Sequence, residues 1–385
     1  MSTPPMDTLP GATPILTEVQ RLPTSGARAV EPFTCRGTLY LAVPQLAYDI
    51  AGQAPAMTGG DSDTEMLIYR WQDGQFVEHQ RLPVPGGEDA EFFEIGDRAF
   101  LATASLRSGA GPYRMAVDSV LYEWVDGDFV ALQRFETLAA KQWKHFEIEG
   151  RHFLALAQGA QPPGSNPADN LPSRIFEWTG TRFELLQEVE SAWGYNWAFA
   201  EVDGHFLLAY ADHLAPSCLL RWNGERFEDF QRLDAPTGRA FCFFRARGQT
   251  WLAFACLHAD SLLYRWENGR FAVHKVLSGP GGREFAWLPS KGDDEGGLLV
   301  QANFILGTRE APQPRVDSLV HAWQGDHLET VARLATSGGA DVAHFEADGS
   351  SYLAIASALS PDVRFRSDSV IFRVDCAPPA AQARP

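Results

Sequence analysis

The chain has 385 residues, and 32 Lys and Arg against 49 Asp and Glu give a formal net charge of −17. This charge excludes nucleic acid and anionic membrane surfaces as expected partners, because both need clustered basic residues. Apolar residues make up 45% of the chain, and 34 Gly, 25 Phe and 11 Trp indicate many short strands joined by turns.

The two ends of the chain are expected to lie outside the fold. Residues 1–14 are rich in Pro and Thr, lack the basic and apolar regions of a signal peptide, and are predicted to be a flexible lead-in. Residues 376–385 are predicted to be a flexible tail. The five cysteines are odd in number and form no CxxC pair, so we expect no disulfide framework and a cytoplasmic location.

A hairpin with a tryptophan before its turn recurs along the chain. Its first copy, LIYRWQDGQFVEHQRLP, begins at Leu67, and a Gly follows the Trp within two or three residues in every copy. Such a Gly supplies the positive φ that a tight hairpin turn requires. Six copies carry this tryptophan, at Trp71, Trp124, Trp178, Trp222, Trp266 and Trp323.

A second type of hairpin alternates with the first. Its clearest copies are HFEIEGRHFLALA from His145 and FAEVDGHFLLAYA from Phe199. The copy from Trp287 is distorted by a longer turn. Further copies begin at Pro32, Phe92, Phe243 and His344.

One copy of the tryptophan hairpin is split between the two ends of the chain. SVIFRV at residues 369–374 matches its first strand, and ILTEVQRLP at residues 15–23 matches its second. Pairing of the two would close a ring and hide the sheet edges. We therefore predict an all-β fold, a seven-bladed β-propeller with four-stranded blades, forming one domain over residues 15–375. An open solenoid or tandem sandwiches are the alternatives.

The repeat pattern resembles the EPTP/EAR (epilepsy-associated) repeat family from about Ile15 to Asp375. Asp-Ser pairs of that pattern occur at residues 118–119, 317–318 and 368–369. Lys275 and Ala332 replace its glutamine in the last two units. The resemblance implies a propeller and a protein-binding module, and it allows an ion in the channel. The glutamine itself is present at Gln20, Gln80, Gln133, Gln187 and Gln231.

The long insertions all fall on one predicted face of the propeller. Loops of this length without secondary structure are usually functional or disordered. We therefore predict a walled cup that binds a ligand, and the alternative is a set of tolerated surface insertions. The insertions are residues 46–63, 106–118, 159–172, 306–317 and 360–368.

Aligning the innermost strands on their Gly predicts a polar ring at the mouth of the channel. Its oxygen-bearing side chains suit a hard cation such as Ca²⁺, with Asp89 and Asp341 as metal ligands, or ordered water. Two residues further on, Glu91 and Lys144 lie in adjacent blades. They form either an inter-blade salt bridge or an acid–base pair whose lysine has a lowered pKa. The ring reads Ala29, Asp89, Gln142, Asn196, Ala240, Glu284 and Asp341.

Aromatic and basic residues lie near the same predicted mouth. Most of the aromatic rings are expected to pack between blades, and Trp193 and Tyr195 are the better candidates for ligand contact because they precede the strand. An aromatic cup with arginines suits an aromatic ligand. The predicted ligand-binding residues are Trp143, Trp193, Tyr195, Asn196, Arg239 and Arg283.

Two functions follow as hypotheses. The first is a protein that binds a small molecule or a partner protein at the long-loop face. The alternative is a cofactor-independent enzyme of bacterial natural-product biosynthesis, a cyclase or alkylating enzyme. Its acid–base groups would be Glu91, Lys144, Glu284 and Asp341, with Tyr113 and Arg283 as hydrogen-bond donors. No organic cofactor is expected, since nucleotide-binding motifs are missing from the sequence.

Overall fold

The computed structural model describes residues 14–160, 169–290, 296–324 and 326–376. These residues form antiparallel sheets of four strands each, arranged as the seven blades of a propeller. The strand next to the innermost one in a blade is buried almost throughout, because neighbouring blades cover both of its faces. The outermost strands are instead mostly exposed, with one buried residue near each end. The prediction of a seven-bladed propeller is confirmed.

The first strand, β1 (Pro14–Leu22), belongs to the last blade. Blade 1 contains β2 (Glu31–Cys35), β3 (Thr38–Val43), β4 (Glu65–Gln72) and β5 (Gln75–Pro83). Blade 2 contains β6 (Gly87–Ile95), β7 (Arg98–Ser105), β8 (Ser119–Val125) and β9 (Asp128–Phe135). Blade 3 contains β10 (Gln142–Ile148), β11 (Arg151–Ala157), β12 (Ser173–Trp178) and β13 (Phe183–Val189).

Blade 4 contains β14 (Gly194–Val202), β15 (His205–Asp212), β16 (Ser217–Trp222) and β17 (Phe227–Leu233). Blade 5 contains β18 (Gly238–Ala246), β19 (Gln249–Cys256), β20 (Ser261–Glu267) and β21 (Arg270–Ser278). Blade 6 contains β22 (Gly282–Pro289), β23 (Gly297–Asn303), β26 (Ser318–Gln324) and β27 (His327–Leu334). A small hairpin, β24 (Leu306–Gly307) with β25 (Pro312–Gln313), is inserted in it. Blade 7 contains β28 (Gly339–Ala347), β29 (Ser350–Ser357), β30 (Ser369–Cys376) and β1.

The ring closes where the sequence predicts. Strand β1 pairs antiparallel with β30, from Ile15 opposite Asp375 to Leu22 opposite Ser369. Pro14 also pairs with Cys376, so the closing sheet extends one residue beyond each predicted limit. The predicted flexible ends otherwise lie in residues 1–13 and 377–385, outside the described residues.

The hairpin turns use the predicted glycines. In blade 1 the turn residues Asp73 and Gly74 have φ angles of 52° and 81°. Two consecutive positive φ angles define a type I′ turn, whose twist matches that of the flanking strands. An aspartate tolerates the left-handed region better than most residues, and glycine adopts it at no steric cost.

The family glutamine joins neighbouring blades at their outer strands. In blade 2, Gln133 Nε2 donates to Phe183 O of blade 3 at 2.9 Å, and Phe183 N donates back to Gln133 Oε1 at 3.0 Å. Gln20, Gln80, Gln187 and Gln231 make the same pair of bonds to the next blade. Lys275 replaces it with a single bond to Leu328 O. The glutamine of the repeat is therefore an inter-blade clamp.

The family serine has a buried structural role of its own. Ser119 Oγ accepts a hydrogen bond from Ser105 N at 3.2 Å, and Ser318 Oγ accepts one from Asn303 N at 3.3 Å. Both serines are fully buried. Each one satisfies a main-chain N–H at the end of the second strand of its blade, where the ladder stops.

Replacing Gln133 with alanine is expected to lower the free energy of unfolding by about 1–3 kcal/mol, because two hydrogen bonds to the main chain of Phe183 are lost. Urea unfolding followed by tryptophan fluorescence measures the change. Gln75→Ala is the control, since Gln75 is exposed in β5 and its loss is expected to cost less than about 0.5 kcal/mol. Equal effects of the two substitutions would disprove the clamp.

Candidate functional site

The innermost strands surround a central channel, and a cavity of about 350 Å³ lies at the end where these strands begin. We call this end the mouth. It is lined by the first residues of β2, β6, β10, β14, β18, β22 and β28, and by the residues just before them. The predicted polar ring lies here, because Ala29, Asp89, Gln142, Asn196 and Asp341 all line the cavity.

A β-bulge at the start of the inner strand turns an additional side chain into the mouth. In blade 2, Gly87 pairs with Ser105 and Asp89 with Ala104, so the intervening residue has no partner. A bulge re-aims such a side chain, and bulges are common beside functional sites. The same register shift occurs in blades 4 to 7. The bulged residues are Glu88, Tyr195, Arg239, Arg283 and Ala340.

These bulged residues form a charged layer above the polar ring, together with Arg28 and Lys141 of blades 1 and 3. Glu88 lies among the cations. Its Oε1 is 2.9 Å from Lys141 Nζ and 3.8 Å from Arg28 Nε, and its Oε2 is 3.6 Å from Arg283 Nη2. Burial alone would raise the pKa of Glu88, but these three cations outweigh it and hold the pKa at about 2.

Tyr195 is surrounded by the same cations. The guanidinium carbon of Arg239 lies 3.9 Å from its ring centroid, and Lys141 Nζ lies 5.0 Å away. Burial would raise the pKa of Tyr195, but Arg239, Lys141 and Arg283 lower it to about 8. Slightly above neutral pH, the phenol of Tyr195 is therefore partly ionised, and three cations surround it.

An aromatic wall stands on one side of the mouth. The ring centroid of Trp193 lies 6.1 Å from that of Tyr195 and 5.6 Å from that of His213. The buried carboxylate of Asp212 holds the loop that carries Trp193, because it accepts hydrogen bonds from the main-chain N–H groups of Trp193 and Leu214. Burial lowers the pKa of His213 to about 3, with Arg239 and His258 adding to the effect, so this imidazole is neutral.

The polar ring links the inner strands. Asp89 Oδ2 accepts a hydrogen bond from Trp143 N of the next blade at 2.8 Å, and Asn196 Oδ1 accepts one from Phe241 N at 2.9 Å. Asp341 Oδ2 does the same for Val30 N at 2.8 Å. One oxygen of each of these side chains is thereby used between blades.

The acidic residues of the polar ring have raised pKa values because they are buried close to one another. Burial raises the pKa of Asp341 to about 6. Burial and then the neighbouring Asp341 raise the pKa of Glu284 well above its usual range. Burial also raises the pKa of Asp89, with Glu91 and Asp341 contributing. Deprotonation of these groups therefore opposes folding as the pH rises.

The cation predicted at Asp89 and Asp341 stays a prediction. In the described parts of the chain, no group of three or more His, Cys, Asp or Glu side chains is placed to hold a metal ion. Both carboxylates also use an oxygen for the inter-blade bonds to Trp143 and Val30. A cation here would have to rely on their remaining oxygens and on the amides of the ring.

Deeper in the channel, Glu91 and Lys144 form the predicted inter-blade salt bridge, with Lys144 Nζ 2.8 Å from Glu91 Oε1. Burial would lower the pKa of Lys144, but Glu91 outweighs burial and the pKa is raised. The alternative prediction of a lysine with a lowered pKa is therefore wrong. The reason is that Glu91 stabilises the charged ammonium through two short contacts.

Three predicted site residues lie away from the lining of the cavity. Trp143 is fully buried between blades and donates from Nε1 to Thr103 O at 2.9 Å. Tyr113 donates to Gly60 O at 2.7 Å and stacks on Arg107, so it fastens loop 106–118 to loop 46–63. Trp193 stands beside the mouth, where it packs on Tyr195. The other predicted residues, Glu91, Lys144, Glu284, Tyr195, Asn196, Arg239, Arg283, Asp89 and Asp341, line the cavity.

The long loops partly meet the prediction of a wall. Loops 46–63 and 360–368 are joined, because Asp49 accepts hydrogen bonds from the N–H groups of Phe365 and Arg366. Loop 306–317 carries the hairpin of β24 and β25, and its Arg309 lies 5.4 Å from the ring of Trp193. Residues 161–168 of the remaining insertion lie outside the described residues.

Sequence reasoning missed Arg28, Glu88 and Lys141. They occupy the position directly before the polar ring, where regular alternation would aim them away from the channel. The available signal is that this position is charged in five of the seven blades and follows a Gly in blades 2, 4, 5, 6 and 7. A Gly near the start of a strand often marks a bulge, and the five blades with this Gly are those that contain one.

Comparisons with known proteins agree with the repeat pattern. The EPTP domain matches residues 16–72, 75–125, 128–179 and 226–267, which together make up more than half of the chain. A mouse protein, "Thrombospondin-type laminin G domain and EAR repeat-containing protein", is 29% identical over 170 residues, which is 43% of this chain and 24% of that protein. The human protein of the same name is 32% identical over 149 residues, covering 38% and 21%. The chain therefore spans about a quarter of the length of the curated relatives it matches.

Among solved structures, the crystal structure of BBS1N in complex with ARL6DN matches with a TM-score of 0.57 and 10% identity, covering 97% of this chain and 100% of that one. This likeness concerns the fold alone. A helix long and apolar enough to cross a membrane is not found in the described residues. With the family match over more than half of its length and seven blades built on the repeat, the chain belongs to the EPTP domain family.

Proposed function

We propose that this propeller is a binding protein whose ligand is a small molecule held at the mouth of the central channel. The observation that carries the proposal is the cavity of about 350 Å³, into which bulges turn several charged side chains. Ligand sites are concave and combine apolar walls with a few convergent polar groups. The aromatic wall and the charged layer supply both elements.

Protein binding at the same face is the broader expectation for a propeller with EAR-repeat relatives. A concave mouth with buried charges favours a small guest over a flat protein surface. The thiols of Cys35, Cys218, Cys242 and Cys256 are free, which supports the proposed cytoplasmic location.

Fragment soaking tests the proposal. Crystals of the full chain are soaked with a library of small neutral, acidic and basic fragments, and the expected result is that hits cluster at the mouth. Ala340→Trp would fill the mouth from blade 7 and is expected to abolish these hits, whereas Ala131→Trp on the exposed face of β9 should keep them. Hits spread over the outer loops, with none at the mouth, would overturn the proposal in favour of a partner-protein surface.

Catalysis in the same cavity is the second candidate. It is favoured by Glu284, a carboxyl that lines the cavity and whose pKa burial raises well above its usual range. Incubating each crystallographic hit with the protein and following its mass by mass spectrometry tests this. A cofactor-independent enzyme would convert a hit, and Glu284→Gln would retain binding while losing conversion. Unchanged hits would leave binding as the function.

A further inference from the structure

In the charged layer above the polar ring, the cations outnumber the anions. Arg28, Lys141, Arg239 and Arg283 line the cavity, and Glu88 is the carboxylate in contact with three of them. Four cations against this one carboxylate give the layer an excess of three positive charges, in a chain whose net charge is −17, while the acids of the polar ring line the same cavity below it. The excess is also buried, since Arg28 is 9% exposed, Lys141 8% and Arg239 6%.

Arg239 is the least compensated of these cations. In the part of the chain that the structure describes, it forms no salt bridge, and its hydrogen bond goes to Gly238 O at 3.4 Å, a long distance for a charged donor. Burial and then the neighbouring Arg283 lower its pKa to about 10, although Tyr195 opposes the effect. Burying a guanidinium without a counter-ion costs roughly several kcal/mol of desolvation free energy. Such a residue therefore seldom contributes to the stability of the fold.

Other buried polar atoms around the mouth have no hydrogen-bond partner. Within the described residues, Arg28 Nε makes no hydrogen bond and lies 3.8 Å from Glu88. Trp193 Nε1 and His213 Nδ1 in the aromatic wall also lack partners. Buried polar atoms are almost always satisfied by protein groups, water or a ligand, so these N–H groups are available as donors to a ligand at the mouth.

We propose that the mouth binds the anionic group of a small organic molecule, with Arg28, Arg239 and Arg283 around the oxyanion and the aromatic wall against a planar body. The proposal rests on the proposed function and specifies the chemical class of its ligand. A carboxylate or a phosphate supplies the shared chemistry, two or more oxygens that a guanidinium contacts through paired N–H donors. The rings of Trp193 and Tyr195, whose planes are tilted by 37° to each other, provide the apolar surface for the body.

Calorimetric titration with four probes tests the anion and the body separately. Phenyl phosphate and benzoate carry the two kinds of head group, benzyl alcohol is the neutral counterpart, and inorganic phosphate lacks the aromatic body. Phenyl phosphate or benzoate is expected to bind at least about tenfold more tightly than benzyl alcohol, since charge-assisted bonds are the stronger ones. The affinities of phenyl phosphate and benzoate, compared with each other, show whether a phosphate or a carboxylate head group is preferred.

Arg239→Gln and Arg283→Gln are each expected to weaken binding of the preferred probe about tenfold or more, while Arg81→Gln on exposed β5 leaves it unchanged. Removing a buried, poorly paired cation should also leave the thermal midpoint equal or higher. A purely structural cluster would show the reverse, with lower stability and unchanged binding.

Tyr195 provides a readout in the wild-type protein that needs no variant to fold. Its pKa of about 8 depends on the nearby cations, so an anion that neutralises them is expected to raise it. Absorbance at 295 nm should show one tyrosine ionising near pH 8, absent in Tyr195→Phe, and shifted upward by saturating phenyl phosphate.

Three results would overturn the anion inference while leaving the proposed function intact. They are equal binding of benzyl alcohol, unchanged binding after both arginine substitutions, and an unmoved Tyr195 titration at saturation. Equal binding of inorganic phosphate and phenyl phosphate would overturn the role of the aromatic wall. Failure of the proposed function is separate, because in that case no fragment of any charge lies at the mouth.

Discussion

Replacing Trp143 with alanine is expected to lower the free energy of unfolding by about 3–5 kcal/mol, because a large side chain leaves a cavity that its neighbours fill only in part. The indole is 0% exposed and packs 5.0 Å from the ring of Phe135 and 5.9 Å from that of Phe176. Its Nε1 donates to Thr103 O, which would lose its partner. Urea unfolding at 25 °C measures the change.

Trp193→Ala is the matched control. Trp193 is half-buried beside the mouth, and its Nε1 makes no hydrogen bond within the described residues. We therefore expect a loss of stability below about 1 kcal/mol and weaker binding of an aromatic probe. A mild Trp143→Ala together with a severely unstable Trp193→Ala would contradict the division between core and site aromatics.

The parts of the fold that repeat were predictable from the sequence. The position of Gln133 recurs in five units, so its clamp on the next blade belongs to a pattern that one chain displays several times. The split between residues 15–23 and 369–374 likewise required ring closure, because an unpaired half-hairpin leaves an exposed edge. Periodicity carries this information, since every copy confirms the register of the others.

The site depends on departures from that pattern, which is why less of it was predictable. The bulge at Glu88 inserts one residue into the strand. Strict alternation along the strand therefore predicts the wrong direction for the Glu88 side chain. Trp143 lies beside the ring residue Gln142 in sequence, yet its side chain points into the core. The raised pKa of Lys144 follows from its distance to Glu91, a quantity that spacing within a repeat does not supply.

Replacing Asp89 with asparagine is expected to stabilise the propeller by about 1–3 kcal/mol at pH 8 and to have little effect near pH 4. Burial raises the pKa of Asp89 well above its usual range, with Glu91 and Asp341 contributing. The folded state therefore holds a proton that the unfolded state releases at lower pH. Stability from this group is present at acidic pH and is lost as the pH rises through the folded-state pKa. Asparagine does not ionise, so the variant does not lose this stability as the pH rises.

Blade 4 shows that an amide fits this position. Asn196 occupies it there, and its Oδ1 accepts the hydrogen bond from Phe241 N that Asp89 accepts from Trp143 N. The reciprocal variant, Asn196→Asp, should therefore fold with a stability that falls more steeply with pH than that of the wild type. Thermal unfolding from pH 4 to pH 8 measures both slopes. A variant pair with unchanged slopes would show that the ring carboxylates are not the source of the pH dependence.

The same pair of variants tests the predicted cation. Ca²⁺ bound by Asp89 and Asp341 would stabilise the folded state by mass action, so millimolar Ca²⁺ is expected to raise the wild-type midpoint at pH 8. Asp89→Asn should lose this response because one charged ligand is gone, even though it is the more stable protein without Ca²⁺. An equal response of both proteins, or none in the wild type, would remove the ring as a calcium site. The carboxylates would then serve as hydrogen-bond acceptors, Asp89 for Trp143 N and Asp341 for Val30 N and Val342 N.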